Sequence, residues 1–210
     1  MSPLAFILCA AGAFLLGSIP TGYLVARAKG VDIRQHGSGN IGATNVFRTL
    51  GKPLGVFVFF ADASKGFAAV FLAMRAAPAS GDAASWFGIV AAVAVIAGHN
   101  YTPWLGFRGG KGIATSAGVL LALMPLAIAS IALVWVVVFK WSRYVSLASI
   151  CASASLPVFV AIFWLCGVAG SAPLLGFAAL ISALAIWRHR TNIQRLREGT
   201  EPRFTKKEKP

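Results

Sequence analysis

IATSAGVLLALMPLAIASIALVWVVVF, Ile113 to Phe139, runs without one ionisable side chain. Crossing about 30 Å of hydrocarbon takes about 20 helical residues, so the stretch is either one long crossing or two short ones turning at Met124-Pro125. In lipid only a helix or a closed barrel satisfies its own backbone, and a continuous apolar run of this kind reads as helix. Outward from it, runs long enough to cross stand at Leu4 to Ala26, Pro53 to Ala76 and Val145 to Val168, with shorter ones at Ala83 to Ala97 and Pro173 to Trp187. Composition agrees: 58% of 210 residues are hydrophobic and 12% are charged, with a mean hydropathy of +0.76. The expected fold is an all-α, polytopic integral membrane protein. Met1 to Ala11 carries no Lys or Arg, so the N-terminal run is read as a retained first span and not as a secretory signal.

Bases set the direction of the spans, because loops rich in Lys and Arg stay cytoplasmic. Arg27, Lys29, Arg34, Arg48 and Lys52 follow the first run, and Arg108 and Lys111 precede Ile113. Arg188, Arg190, Arg195, Arg197 and Arg203 follow the last run. One crossing through Ile113 to Phe139 puts this tail opposite its charge, whereas two crossings resolve the conflict. The expectation is therefore about seven transmembrane helices, several of them short, with the N-terminus external and the C-terminus cytoplasmic. Short external turns then fall around Ser80, Met124 and Gly170. A five-span arrangement, with short segments only dipping in, keeps the same sidedness. A single membrane-embedded domain over 1–210 is expected, with 203–210 a flexible basic tail. The net charge of +13 is explained by span-flanking bases and anionic lipid. No helix-turn-helix, zinc-finger or RNA-binding pattern is present, so nucleic acid is not an expected partner. Cys9, Cys151 and Cys166 lie in apolar runs without CxxC or Cys/His spacing and imply neither a metal nor a disulfide.

Three polar stretches interrupt the apolar chain: HGSGNIGATNVFR (His36 to Arg48), GHNYTPWLGFRGGKGIAT (Gly98 to Thr115) and RHRTNIQRLREGTE (Arg188 to Glu201). Glycines let backbone N–H groups approach an anion, and fixed bases neutralise it. Ser38, Asn40, Thr44 and Asn45 add hydroxyl and amide donors, Arg48 a bidentate fork and Lys111 a point charge. Tight turns with membrane-flanking charges would explain any one of these residues; three such stretches on one side favour a phosphate site. Gly37, Gly39 and Gly42 form a GxGxxG string with Asp62 about twenty residues on, but no βαβ unit can be built around membrane spans. Gly109, Gly110, Lys111 and Gly112 resemble a phosphate loop, yet Gly112 stands where Ser or Thr should be, so ATP hydrolysis is unsupported.

The carboxylates are only Asp32, Asp62, Asp82, Glu198, Glu201 and Glu208, too few and too scattered for an Asp-rich magnesium centre. Neither a metal nor another cofactor is expected, and bases and N–H groups are to meet phosphate directly. Asp62 and Lys65, one helical turn apart inside a span, are read as a structural ion pair. His36, His99 and His189 each fall in a polar stretch, as a base or as a hydrogen-bonding contact. The fifth residues after them are Ile41, Trp104 and Gln194, so the His-Asp dyad of soluble-headed glycerolipid acyltransferases is missing. Arg188 to Glu198 reads as a continuation of the last span, stopped by Gly199 with Pro202 beyond, and its arginines could reach lipid headgroups.

Together the stretches GSGNIGATNVFR, GHNYTPWLGFRGGKGIAT and RHRTNIQRLREGTE resemble the three cytoplasmic motifs of the bacterial acyl-phosphate-dependent glycerol-3-phosphate acyltransferases, the PlsY family. The resemblance covers the whole chain in motif order, spacing, the Asp62/Lys65 element and the basic tail. It implies transfer of a fatty acyl group from acyl phosphate to the 1-hydroxyl of sn-glycerol 3-phosphate, giving lysophosphatidic acid and phosphate. It further implies a multi-pass protein of the bacterial inner membrane with its site on the cytoplasmic face, acting as a monomer and coupled to an acyl-phosphate-forming enzyme. By similarity, Ser38, Arg48, Lys111, His189 and Asn192 are the catalytic candidates. Gly37, Gly39, Asn40, Gly42, Thr44, Asn45, His99, Asn100, Gly109, Gly110, Gly112 and Arg188 are the expected substrate contacts. Ser146, Ser149 and Ser153 are candidates for contact with the acyl donor. The competing class is a transporter of organic phosphates, which generally binds near the midplane between repeats; no repeat is visible here.

Overall fold

A computed structural model describes residues 2–77 and 83–204. The turn at Ser80, the carboxylates of Asp82 and Glu208, and the basic end from residue 205 lie outside the described residues. Among those described, the regular structure is helical throughout, in ten α-helices and two short 3-10 turns, as an all-α membrane protein requires. The chain divides into two compact units, Met1–Leu123 and Met124–Pro210.

The first unit contains α1 (Pro3–Ser18), α2 (Thr21–Arg27), α3 (Ala43–Leu50), α4 (Lys52–Ala76), α5 (Ala83–Asn100) and α6 (Ile113–Leu123). Pro20 breaks the first apolar run: it disfavours helical backbone at Ile19, whose ψ is 113°. Helix α1 packs chiefly on α5, and α4 on α6. Both pairs touch through glycine. Gly17 of α1 lies against the Val95 carbonyl and Gly98 of α5 against the Phe14 carbonyl. Gly66 of α4 lies against the Thr115 carbonyl and Gly118 of α6 against the Ala63 carbonyl. A Cβ at any of the four would strike a backbone oxygen. In lipid, where no hydrophobic force drives helices together, such close backbone approach supplies much of the association.

The second unit contains α7 (Pro125–Ser142), α8 (Val145–Leu165), α9 (Ala172–Arg188) and α10 (Arg190–Arg197). Pro125 starts α7, where its missing N–H costs nothing, and holds Met124 in non-helical backbone at φ −144°, ψ 67°. Ile113 to Phe139 is therefore two helices. The axis bends by 54° between α9 and α10. The segment from Arg188 thus turns away at His189 where the sequence suggested a straight continuation. Arg203 and Phe204, expected in a flexible tail, are held: Arg203 Nε donates to the Ser142 carbonyl at 3.1 Å and Phe204 N–H to the Arg143 carbonyl at 2.9 Å.

Among the described residues, Pro3–Arg27, Lys52–Ala76, Pro125–Ser142 and Val145–Leu165 are long and apolar enough to cross a bilayer, and the bent α9–α10 pair would make a fifth. Seven crossings exceed this number. Polarity is arranged for lipid: Leu133 and Leu165 are 66% and 82% exposed, while Asp62, Lys65 and His99 are buried. A water-soluble fold would reverse that distribution.

Candidate active site

The first polar stretch curls around one amide. Asn45, on the opening turn of α3, is 2% exposed. Its Nδ2 donates to the carbonyls of Ile33, His36 and Asn40 at 3.2, 2.9 and 2.9 Å, and its Oδ1 accepts the Ser38 N–H at 2.9 Å. Gly37 has φ +57°, and a Cβ there would collide with Asn45 Oδ1, so glycine is required on both counts. Asn40 Oδ1 accepts the Gly42 N–H at 2.9 Å and so leads the chain into α3. Upstream, the Arg34 side chain bonds both oxygens of Asp32 at 2.9 and 2.7 Å and holds that carboxyl down at about 2. Ser38 and Gly39 are exposed, whereas Thr44 and Arg48, one turn apart on α3, are half-buried. Asn45 thus shapes the loop on which the other donors stand.

The second stretch folds back on the end of α5. Gly109 N–H donates to the Asn100 carbonyl and Gly110 N–H to the His99 carbonyl, both at 3.1 Å. Gly110 also lies against the His99 ring, where a Cβ would collide with Nε2. Gly112, with φ +82°, lies beside Asn100 Oδ1. Lys111 is half-buried between them. Beneath this loop, Lys65 Nζ is 2.8 Å from Asp62 Oδ1, 2.8 Å from the Ile19 carbonyl and 3.0 Å from His99 Nδ1. Asp62 Oδ1 also accepts the Thr21 hydroxyl at 3.1 Å. The embedded ion pair therefore joins the second motif to the α1–α2 break.

In the second unit, His189 and Asn192 are 4% and 5% exposed. His189 Nδ1 lies 2.8 Å from the Ala185 carbonyl, which can only accept, so Nδ1 carries the proton and Nε2 is the basic nitrogen of the neutral ring. Asn192 Nδ2 donates to Glu201 Oε1 at 2.6 Å, and Arg195 Nε to Glu201 Oε2 at 2.8 Å. Burial pushes the Glu201 carboxyl up, but the nearby Ser146 hydroxyl, the hydrogen bonds from Arg195 and Asn192 and the Arg195 charge outweigh it and hold the group below the usual glutamate range. Arg195 is thus bound to Glu201, where the sequence offered it to headgroup phosphates. Arg188 is half-buried at the end of α9. Ser149 accepts the Trp135 indole N–H at 3.1 Å, and Ser146 is buried on the first turn of α8.

Gly37 to Arg48 thus form one loop and helix, and His99, Asn100 and Gly109 to Gly112 a second loop joined to Asp62 and Lys65. Arg188, His189 and Asn192 follow the bend in the other unit. Sequence reading missed Glu201 as the partner of Asn192 and Arg195. Its signal was the glycine stop itself: Gly199, at φ +69°, returns the chain so that the Thr200 and Glu201 N–H groups meet the Arg195 carbonyl at 2.8 and 3.2 Å. Within the first unit, backbone N–H groups beside a guanidinium and an ammonium are groups chemically suited to meeting an anion.

Residues 7–199 match the family model for glycerol-3-phosphate acyltransferase. The chain is 46% identical over 198 residues to the glycerol-3-phosphate acyltransferase of Geobacter sulfurreducens, covering 94% of this chain and 97% of that one. It is similar to the crystal structure of the integral membrane glycerol 3-phosphate acyltransferase PlsY in its glycerol 3-phosphate form, with a TM-score of 0.85 and 44% identity over 95% of this chain and 96% of that one. The lysophosphatidic acid form of that enzyme superposes with a TM-score of 0.83 at 43% identity, over 95% of each chain. On this match, spanning both units, the chain belongs to the glycerol-3-phosphate acyltransferase family.

Proposed function

We propose that this chain moves a fatty acyl group from acyl phosphate to the 1-hydroxyl of sn-glycerol 3-phosphate, giving 1-acyl-glycerol 3-phosphate and inorganic phosphate, the first step of bacterial phospholipid synthesis. The observation that carries the reading is the pair of solved relatives, one in a glycerol 3-phosphate form and one in a lysophosphatidic acid form, the acceptor and the product of such a transfer. Acyl phosphate is a mixed anhydride with a good leaving group, so the reaction requires alignment and charge neutralisation more than a covalent nucleophile. The hydroxyl oxygen attacks the acyl carbon, the bond from that carbon to the phosphate oxygen breaks, and the departing phosphate takes the hydroxyl proton. Ser38, Arg48, Lys111, His189 and Asn192 hold glycerol 3-phosphate, and the N–H groups of the glycine loops stabilise the oxyanion and the leaving phosphate. Asn40, Thr44, Asn100 and Arg188 are the further polar residues assigned to the substrates on this reading.

The spans keep the acyl chain in lipid while both phosphates meet the cytoplasmic surface of the cell membrane. Seven crossings, with the N-terminus outside and all three motifs inside, give that arrangement its sidedness. The reading further includes one functional domain acting as a monomer, supplied by an acyl-phosphate-forming enzyme. The test is phosphate release from palmitoyl phosphate by the purified protein. Release should require glycerol 3-phosphate, yield lysophosphatidic acid, persist under chelator and fall at least about 100-fold in a folded Lys111→Ala variant. Uptake of glycerol 3-phosphate into vesicles without phosphate release would replace this reading by transport.

A further inference from the structure

The cluster of Asp62, Lys65 and His99 lies in the membrane-embedded part of the first unit and does more than neutralise charge. Lys65 has three ammonium hydrogens and three acceptors in range: Asp62 Oδ1 at 2.8 Å, the Ile19 carbonyl at 2.8 Å and His99 Nδ1 at 3.0 Å. An ammonium donates and never accepts, so His99 Nδ1 must present its lone pair. The neutral ring then carries its proton on Nε2, the atom that lies against Gly110. His99 also accepts the Gly110 N–H at its own carbonyl, so one residue holds this glycine through backbone and ring together. The next residue is Lys111.

We propose that Lys65, anchored by Asp62, is a positioning residue for the second motif: it locks His99 in the Nε2–H tautomer and thereby fixes the glycine loop that carries Lys111. The catalytic consequence rests on the reading above, whereas the tautomer does not. A simple ion pair bracing two helices would need no histidine on the third ammonium hydrogen. The arrangement is also the opposite of that at His189, whose proton is held on Nδ1 by a carbonyl.

The experiment is 15N NMR of the full-length, histidine-labelled protein in detergent, with the His99 signals assigned by their loss in His99→Gln. Protonated Nε2 and unprotonated Nδ1 are expected near neutral pH. In Lys65→Met, and in Asp62→Asn/Lys65→Met, which leaves no unpaired buried carboxylate, the ring should populate both tautomers, and kcat should fall about 10- to 100-fold with folding intact, the scale of losing a partner that orients an active-site group. Asp62→Asn alone should keep the tautomer. A proton on Nδ1 in the parent protein overturns the proposal without recourse to activity. So does an unchanged tautomer in the folded double variant, whatever its turnover. Absence of acyl transfer in the parent protein would instead count against the function proposed above.

Discussion

Asn45 shows how a polar residue inside the first glycine-rich motif serves the loop itself. Its amide joins four backbone groups of residues 33–40, and carboxylate in its place would turn a donor among three carbonyls into a negative charge. Asn45→Asp should therefore destabilise the protein at least as much as Asn45→Ala, by about 3 kcal/mol, in a thermal melt in detergent; an active Asn45→Asp of normal melting temperature would show that the oxygen, and not the donor, matters. Glu201 is the matching device in the other unit. Its folded-state pKa is depressed, so its stabilising share is fully present above the unfolded-state value and is lost as pH falls through the folded one. Glu201→Gln should cost about 2 kcal/mol near neutrality and progressively less in acid below the usual glutamate range. A pH-independent difference in melting temperature between the two proteins would reject that account. The three polar motifs were legible in the sequence, since runs of Gly, Asn, Arg and Lys stand out among apolar segments. The inward aim of Asn45 and the bond from Asn192 to Glu201 were not, because each depends on which side of a short helix meets its own loop.

Helices were read from apolar runs, and Pro125 starts a helix at the turn offered at Met124-Pro125, whereas the break at Pro20 inside the run Leu4 to Ala26 was not anticipated. Their partners were less accessible. That α1 meets α5 and α4 meets α6 is written in Gly17, Gly98, Gly66 and Gly118, but glycine in an apolar run has no fixed address until the facing carbonyl is known. The link from Lys65 to His99 spans 34 positions and depends on that pairing, so one-turn spacing revealed only Asp62. Gly118→Val should cost about 2 to 3 kcal/mol or prevent folding, because the added carbons meet the Ala63 carbonyl and neighbouring backbone, which cannot step aside. Gly12→Ala on α1, where nothing lies within 4 Å, should be neutral. Equal melting temperatures for both variants would mean that close backbone contact does not hold α4 to α6.

At the scale of the whole molecule, composition decided the class and charge predicted its orientation. Cysteines introduced one at a time should react with an impermeant maleimide from the cytoplasmic side at Lys140 and Lys29 and from the outer side at Ser2. Labelling of Lys140 from outside would refute seven crossings. The glycine contacts between α4 and α6 carry one further consequence. Gly66 adjoins Lys65, and α6 begins two residues after Lys111, so the vertical register of Lys111 is keyed to α4 by backbone contact as well as through His99. Sliding one helix along the other would drive Cα hydrogens through carbonyl oxygens. When bilayer thickness changes, these two helices are not free to shear, and adjacent lipid must stretch or compress to meet them.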